Sequence, residues 1–313
     1  MAPAPHAAQS YVYLGPSGTF TEAALHTLPE AATRELLPLT SVPAALDAVR
    51  RGEAAAAFVA LENSVEGPVP GTLDELAGGE PLTIFREVLL PIEFALLARP
   101  GTEFGDIKTV TGHPVAQSQV RRWLGTELPD AEWESAASNA DGARMVSEGR
   151  YDAAFAGEFA AAQYGLVPLR TGINDAASAT TRFVLVGRPG RPPARTGSDR
   201  STVAMWLAED HPGALLELLQ QFAVRGVNMS RIESRPTGEG LGRYYFIADF
   251  DGHIDDLRVG EALMGLHRIC PKVRFLGSYP RADRAEPRLG QGTSDAEFRA
   301  AHDWLANCRD GRA

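Results

Sequence analysis

The stretch Tyr11-Val12-Tyr13-Leu14-Gly15-Pro16-Ser17-Gly18-Thr19-Phe20-Thr21-Glu22 carries the decision on fold class. Its four aromatic or aliphatic residues read as a strand, Gly15 to Gly18 as a turn, and Thr19-x-x-Glu22 as a helix capping box. A strand that passes through a glycine turn straight into a helix is the repeating step of an α/β protein with largely parallel strands. The same step recurs along the chain. Ser41 to Arg51 reads as a helix closed by Gly52, and residues 54–61 (AAAAFVAL) as a buried strand running into a loop from Glu62 to Gly67. A second set begins near Ile92. It has strands at 94–98 and 107–111, a helix from Pro114 to Leu124, a helix capped by Ser138 and ending before Gly149, a strand at 152–156 and a last strand at 182–187. Two comparable α/β lobes with a cleft between them are the economical arrangement, the second lobe spanning about residues 92–170.

Beyond Gly187 the pattern changes. Residues 188–200 (RPGRPPARTGSDR) combine Pro, Gly and four arginines without an apolar stripe, which marks a linker. From Ser201 the order is strand (201–208), helix (Pro212 to Arg225), strand (229–236), turn (238–242), strand (243–250), helix (Asp255 to Leu266) and strand (273–279). That is βαββαβ, the ferredoxin-like arrangement. The tail 281–313 is polar, with a capping box at Ser294 and Glu297 and a helical stripe of Phe298, Ala301, Leu305 and Cys308.

A chain of 313 residues fits two domains at roughly 150 residues each. Thirty basic against 40 acidic residues give a net charge of -10, which opposes nucleic-acid and anionic-membrane partners. The start, MAPAPHAAQS, lacks the basic head and apolar run of a secretory signal, and apolar stretches are interrupted at Pro91, Glu93 and Glu158, so a cytoplasmic protein is expected. Cys270 and Cys308 stand far apart and outside metal-ligand spacing, so neither a disulfide nor a metal site is expected.

Four segments place polar residues where strands end, the position at which α/β lobes hold ligands. Ser17, Gly18 and Thr19 combine close backbone approach with the free N–H groups of a helix start, which suit an anion; a turn with no ligand has the same sequence. Glu62-Asn63-Ser64 set three hydrogen-bonding side chains in a row: Asn63 and Ser64 can donate to a carboxylate while Glu62 accepts from them or holds them in place, or the run serves as a cap. His113 and Gln119 lie in and after Gly112-His113-Pro114, where His113 is either a cap or a site residue. Thr180-Thr181-Arg182-Phe183 put a hydroxyl beside a guanidinium that can grip a carboxylate bidentately, or leave an arginine on an exposed strand end.

These segments occur together. GPSGTFTEAAL (15–25), LENSVEGPVPGTLDEL (61–76), GHPVAQSQVRRWL (112–124), AAFAGEFAAAQYGL (153–166) and TTRFVLVG (180–187) follow the order and approximate spacing of prephenate dehydratases, and the chain resembles that family over residues 11–280. The resemblance implies a two-lobed, periplasmic-binding-protein-like catalytic domain at 11–187 and a ferredoxin-like ACT regulatory domain at 201–280. It implies decarboxylation and dehydration of prephenate to phenylpyruvate in L-phenylalanine biosynthesis, without a cofactor, in a homodimer or homotetramer. Thr181 would assist the leaving hydroxide, and Arg182 would anchor a carboxylate or support Thr181. Ser17, Gly18, Thr19, Glu62, Asn63, Ser64, Gln119 and Phe183 would form the substrate site, with Phe183 mainly packing and Gly157 and Glu158 as further candidates. Gly213-Ala214-Leu215-Leu216 and Glu233-Ser234-Arg235-Pro236 match the motifs by which the family senses phenylalanine. There Asp210 would cap the helix at Pro212, the free N–H groups would hold the carboxylate, and Glu233 would meet the ammonium. Ala179, Val115 and Asn139 depart from the Asn, Gln and Thr common in relatives. Rival readings are an arogenate dehydratase and a non-catalytic amino-acid-binding regulator.

Overall fold

The computed structural model describes residues 9–312 apart from Ala177 and Leu241. They form two compact units: one runs from the start of the described chain to Thr72 and resumes over Val88–Val186, the other joins Leu73–Glu87 to the chain from Gly187 onward.

The chain begins with β1 (Ser10–Leu14), α1 (Phe20–Leu25), β2 (Glu35–Leu39), α2 (Val42–Arg50), β3 (Ala56–Asn63), β4 (Gly67–Pro68), α3 (Pro70–Ala77) and β5 (Thr83–Pro91). Ser41 caps α2 by accepting from the Ala44 N–H, an interaction of about 1 kcal/mol. Ala45, Leu46, Ala48 and Val49 turn one face of that helix inward. Glu62 and Asn63, expected in a loop, are instead the last residues of β3 and pair with β4 in a short hairpin.

A second lobe follows: β6 (Ala95–Ala98), β7 (Thr109–Gly112), α4 (Pro114–Glu127), β8 (Glu132–Ser135), α5 (Asn139–Ser147), β9 (Ala153–Ala156), α6 (Ala160–Tyr164) and β10 (Val167–Thr171). The chain then returns through β11 (Thr180–Gly187). Sheet order is β2-β1-β3-β11-β5 in the first lobe and β10-β6-β9-β7-β8 in the second. Both sheets are mixed. β1 runs parallel to β2 and β3, and β7 parallel to β8 and β9, but β6 is antiparallel to β9 and β10. The expectation of largely parallel strands holds where a helix crosses over; β6 is entered from the other lobe without such a crossover.

The second unit contains β12 (Asp199–Trp206), α7 (Ala214–Ala223), β13 (Met229–Pro236), β14 (Tyr244–Asp251), α8 (Leu257–Ile269), β15 (Lys272–Pro280) and α9 (Asp295–Arg309). The antiparallel sheet has the order β13-β14-β12-β15. Leu218 and Phe222 of α7 and Val259, Ala262 and Leu266 of α8 bury against Val203, Met205, Phe246, Ala248 and Phe250 of the sheet. The other sheet face holds residues 73–87: Arg200 pairs with Glu87 at 2.6 Å, and the Ala282 N–H donates to the same carboxylate at 2.9 Å. At Gly277, with φ of 138°, a Cβ would lie 2.3 Å from the Ile84 carbonyl oxygen, so only glycine admits this approach.

Three expectations change here. Asp199 and Arg200, assigned to the linker, open β12, and the linker is held: Arg195 pairs with Asp256 and Asp295, each at 2.7 Å. Asp210 does not cap α7. Its N-cap is Gly213, at φ 95° and without a side-chain cap bond. The Ser294–Glu297 box forms, but no residue of α9 is buried and Leu305 is 39% exposed. The helix is fastened at its start, where Asp295 accepts from the Leu257 N–H at 3.0 Å.

Candidate active site

The start of β11 meets the end of β3. The Ser64 N–H donates to the Thr180 carbonyl, and the Thr180 N–H donates to Ser64 Oγ, each at 2.9 Å. Asn63 Nδ2 donates to Thr181 Oγ1 at 2.8 Å across 118 positions of sequence, and Arg182 lies 3.5 Å from the Glu62 carboxylate. The Glu62-Asn63-Ser64 and Thr181-Arg182 segments are thus one cluster.

Asn63 is oriented by its own hairpin. Its Oδ1 accepts from the Val65 N–H at 2.8 Å and the Glu66 N–H at 3.0 Å. A carbonyl oxygen only accepts, so a flipped amide would lose both bonds, and the NH₂ group is committed to Thr181. Thr181 Oγ1 therefore acts as an acceptor toward Asn63, which leaves its own proton for a further acceptor. Asn63 serves Thr181 where the sequence suggested direct donation to a substrate carboxylate.

Other expected residues divide. Arg182 is 5% exposed and lies against Glu62, not on an exposed strand end. Phe183 is 1% exposed and stacks on Phe58 with centroids 5.5 Å apart, which makes it core packing. At the glycine turn, the Gly18 N–H donates to Glu22 Oε2 at 2.6 Å and Tyr13 donates its hydroxyl to Glu22 Oε1 at 2.5 Å. An internal carboxylate thus occupies the position proposed for a substrate anion. Burial, then the bond to Glu22, pushes the Tyr13 phenol above its ordinary pKa. The Thr19–Glu22 box is half made: Thr19 Oγ1 accepts from the Glu22 N–H at 3.3 Å, while the Glu22 carboxylate turns to Gly18 and Tyr13. The Ser17 carbonyl accepts from the Tyr164 hydroxyl at 2.6 Å, tying the turn to α6 of the second lobe.

On the second lobe His113 is a cap. Its Nδ1 accepts from the Val115 N–H at 3.2 Å, and burial holds the imidazole below its ordinary pKa. Gln119 is 3% exposed, and neither atom of its amide has a hydrogen-bond partner among the described residues. An unpartnered buried polar group costs roughly 1–3 kcal/mol. One residue earlier, Ser118 Oγ donates to Glu66 Oε1 at 2.6 Å and links α4 to the hairpin of Asn63. A Cβ at Gly157 would fall 2.3 Å from the Phe159 ring. Glu158 lines a separate cleft of about 330 Å³ with Phe20, Glu93, Phe94 and Phe159. Among the described residues no group of three or more His, Cys, Asp and Glu side chains could hold a metal ion. Glu66, Ser118 and Tyr164 were not singled out from sequence, and Glu22 only as half of a capping box. Glu66 lies inside the ENSVEG motif and was within reach; Tyr164 carries no local signal.

In the second unit a cavity of about 770 Å³ is lined by Gly213, Ala214, Leu215, Leu216, Ser234 and Tyr244, among others. Glu233, Arg235 and Pro236 do not line it. Arg235 instead makes a bidentate contact with Asp74, Nε to Oδ1 at 2.9 Å and Nη2 to Oδ2 at 2.6 Å. The Arg235 hydrogen bond holds the Asp74 carboxyl below its ordinary pKa.

Residues 11–191 match the prephenate dehydratase family and residues 202–268 the ACT domain. The chain is 50% identical to the prephenate dehydratase of Mycobacteroides abscessus over 97% of its own length and 99% of the relative's. It is 47% identical to that of Mycobacterium tuberculosis, over 96% and 94%. The crystal structure of a prephenate dehydratase from Arthrobacter aurescens in complex with L-Phe superposes with a TM-score of 0.92 at 51% identity, covering 96% of this chain and 99% of that one.

Proposed function

This chain belongs to the prephenate dehydratase family, and on that premise we propose how its residues divide the work of converting prephenate to phenylpyruvate under control by L-phenylalanine. In this reaction the bond from the ring to its carboxylate breaks and releases carbon dioxide. Those electrons enter the ring as it becomes aromatic, and the ring C–O bond breaks with its electrons on the departing hydroxide, which takes up a proton to become water. The protein has to hold a dianion and give a directed hydrogen bond to the oxygen that gains charge.

Thr181 gives that bond. The observation that carries this assignment is the Asn63–Thr181 contact, because an amide locked by two backbone N–H groups leaves the threonine proton free for the leaving oxygen. Donation from Asn63 also stabilises charge on Thr181 Oγ1. Arg182, buried against Glu62, supports the strand end and brings positive charge to the dianion's surroundings. Gln119, with its amide otherwise unpartnered, contacts the substrate from the second lobe. Ser17, Thr19 and Ser64 shape the site's rim.

For the second unit, the cavity at Gly213, Leu215, Leu216 and Ser234 supports binding of phenylalanine there. The relative from Arthrobacter aurescens, solved with L-Phe, supports the same reading. We place the enzyme in the cytoplasm; among the described residues no helix is long and apolar enough to cross a membrane. Exposed Leu216, Val224 and Met264 support a homodimer or homotetramer built through the ACT domain, to be read by light scattering. Incubation of the purified protein with prephenate, and separately with arogenate, tests the reaction: phenylpyruvate from prephenate at the faster rate is expected, and faster phenylalanine formation from arogenate would reassign the substrate.

A further inference from the structure

The two neighbours Ser234 and Arg235 face opposite ways. β13 alternates between half-buried and exposed side chains along its whole length, as a strand with period two must. Ser234 pairs across the sheet with Phe246, and both line the cavity at the start of α7. Arg235 pairs with Tyr245, and both reach the other way, to one carboxylate: Arg235 holds Asp74 bidentately and the Tyr245 hydroxyl donates to Asp74 Oδ1 at 2.8 Å. A displacement of β13 at the cavity therefore cannot leave Asp74 in place unless these bonds break.

Asp74 sits in α3, and the division between the two compact units falls inside that helix, between Thr72 and Leu73. The C-terminal end of α3 is held from the ACT sheet a second time, by Arg274 donating to the carbonyls of Leu76, Gly78 and Gly79. Its N-terminal end follows the hairpin directly: the Val69 N–H donates to the Leu61 carbonyl at 2.9 Å, and Gly67 and Pro68 pair with Asn63 and Glu62. Asn63 in turn orients Thr181. A short helix moves as a rigid piece, so a shift at Asp74 arrives at Pro70 and the hairpin.

We propose that the Arg235–Asp74 contact is the coupling link of this enzyme, carrying occupancy of the ACT cavity through α3 to the hairpin that orients Asn63 and Thr181. This rests on the reading that phenylalanine regulates the enzyme, and it moves Arg235 from a ligand contact to the transmission. The ligand acts by favouring one placement of β13 over another, since only a difference in affinity between two states can shift their balance. The bidentate geometry makes arginine the suitable residue, because a planar fork fixes direction as well as distance, which a lysine does not.

The test uses the full-length chain and measures two quantities for each variant: the phenylalanine Kd by calorimetry, and the ratio of prephenate kcat/KM without and with saturating phenylalanine. The wild type is expected to show a ratio in the range of roughly 5–150. Asp74→Asn should keep phenylalanine affinity and uninhibited kcat/KM within about threefold while the ratio falls toward one. Arg235→Lys and Tyr245→Phe, which perturb the same carboxylate more gently, should give intermediate ratios and cover the case in which Asp74→Asn fails to fold. Wild-type ratios in all three variants would overturn the proposal. So would loss of phenylalanine affinity in step with loss of inhibition, which would return Arg235 and Asp74 to the ligand site. A wild type that neither binds nor responds to phenylalanine would remove the regulatory reading itself, a result seen before any variant is made.

Discussion

A threonine hydroxyl does not ionise near neutrality, so what Thr181 can offer a departing hydroxide depends on which way its single proton points. On the proposed mechanism Asn63 sets that direction, and the two residues are expected to act as one device. Thr181→Ala is expected to lower kcat by roughly two to three orders of magnitude, the scale of one lost transition-state donor, with Thr181→Ser keeping more. Asn63→Ala should cost about 1.5–3 kcal/mol of barrier, the range for a hydrogen bond to an oxygen that gains charge. The double variant should be no slower than Thr181→Ala alone, because residues that work as a unit are not additive; additive losses would separate them. Arg182→Lys is expected to lower Tm and kcat while KM stays within about threefold, since a lysine does not reproduce the fixed donor directions of a buried guanidinium. A large rise in KM would put Arg182 on the substrate. Thr181, Arg182, Glu62 and Asn63 were legible as candidates from sequence. Their division of roles was not, because which donor meets which acceptor across 118 residues is a matter of strand pairing.

Local signals predicted elements well wherever a short-range hydrogen bond decides them. Ser41, Ser138 and Ser294 each accept from the N–H three residues on, as their spacing requires. There are two exceptions: Glu22 leaves its box for Tyr13 and Gly18, and α7 opens on Gly213 with Asp210 uninvolved. For α4 the cap is a titrating group, and this gives a pH signature. His113 must be neutral at Nδ1 to accept the Val115 N–H, and burial depresses its pKa. Below about pH 6.5, the ordinary histidine value, the unfolded chain takes up a proton that the folded one resists, so this contribution is full above that pH and declines as pH falls toward the lower folded value. His113→Asn, a good cap that does not titrate, should flatten the change in Tm between about pH 7.5 and 5 relative to wild type. An unchanged slope would mean that other groups set the pH dependence.

Composition and segment order pointed to two domains joined by a polar linker, which would leave a chain ending near Gly190 active and merely unregulated. The packing of residues 73–87 argues otherwise. Glu87 needs Arg200 and the Ala282 N–H, Ile84 lies on Gly277, and the end of α3 rests on Arg235, Tyr245 and Arg274. Truncation at Gly190 is therefore expected to yield insoluble or weakly active protein, whereas ending the chain at Arg288, which removes a helix with no buried residue, should leave soluble activity. A fully active Gly190 truncation would show these contacts to be dispensable. Periodicity and motif over short stretches were enough to reveal the α/β and βαββαβ character, most of the caps and the family. Only the folded chain brings Asn63 to Thr181, turns Arg235 to Asp74 on the face opposite Ser234, and groups fifteen residues from the middle of the catalytic region, Leu73–Glu87, with the regulatory unit. Those facts join residues far apart in the chain, and long-range pairing is set by which buried polar groups can all be satisfied at once, a condition no local window contains.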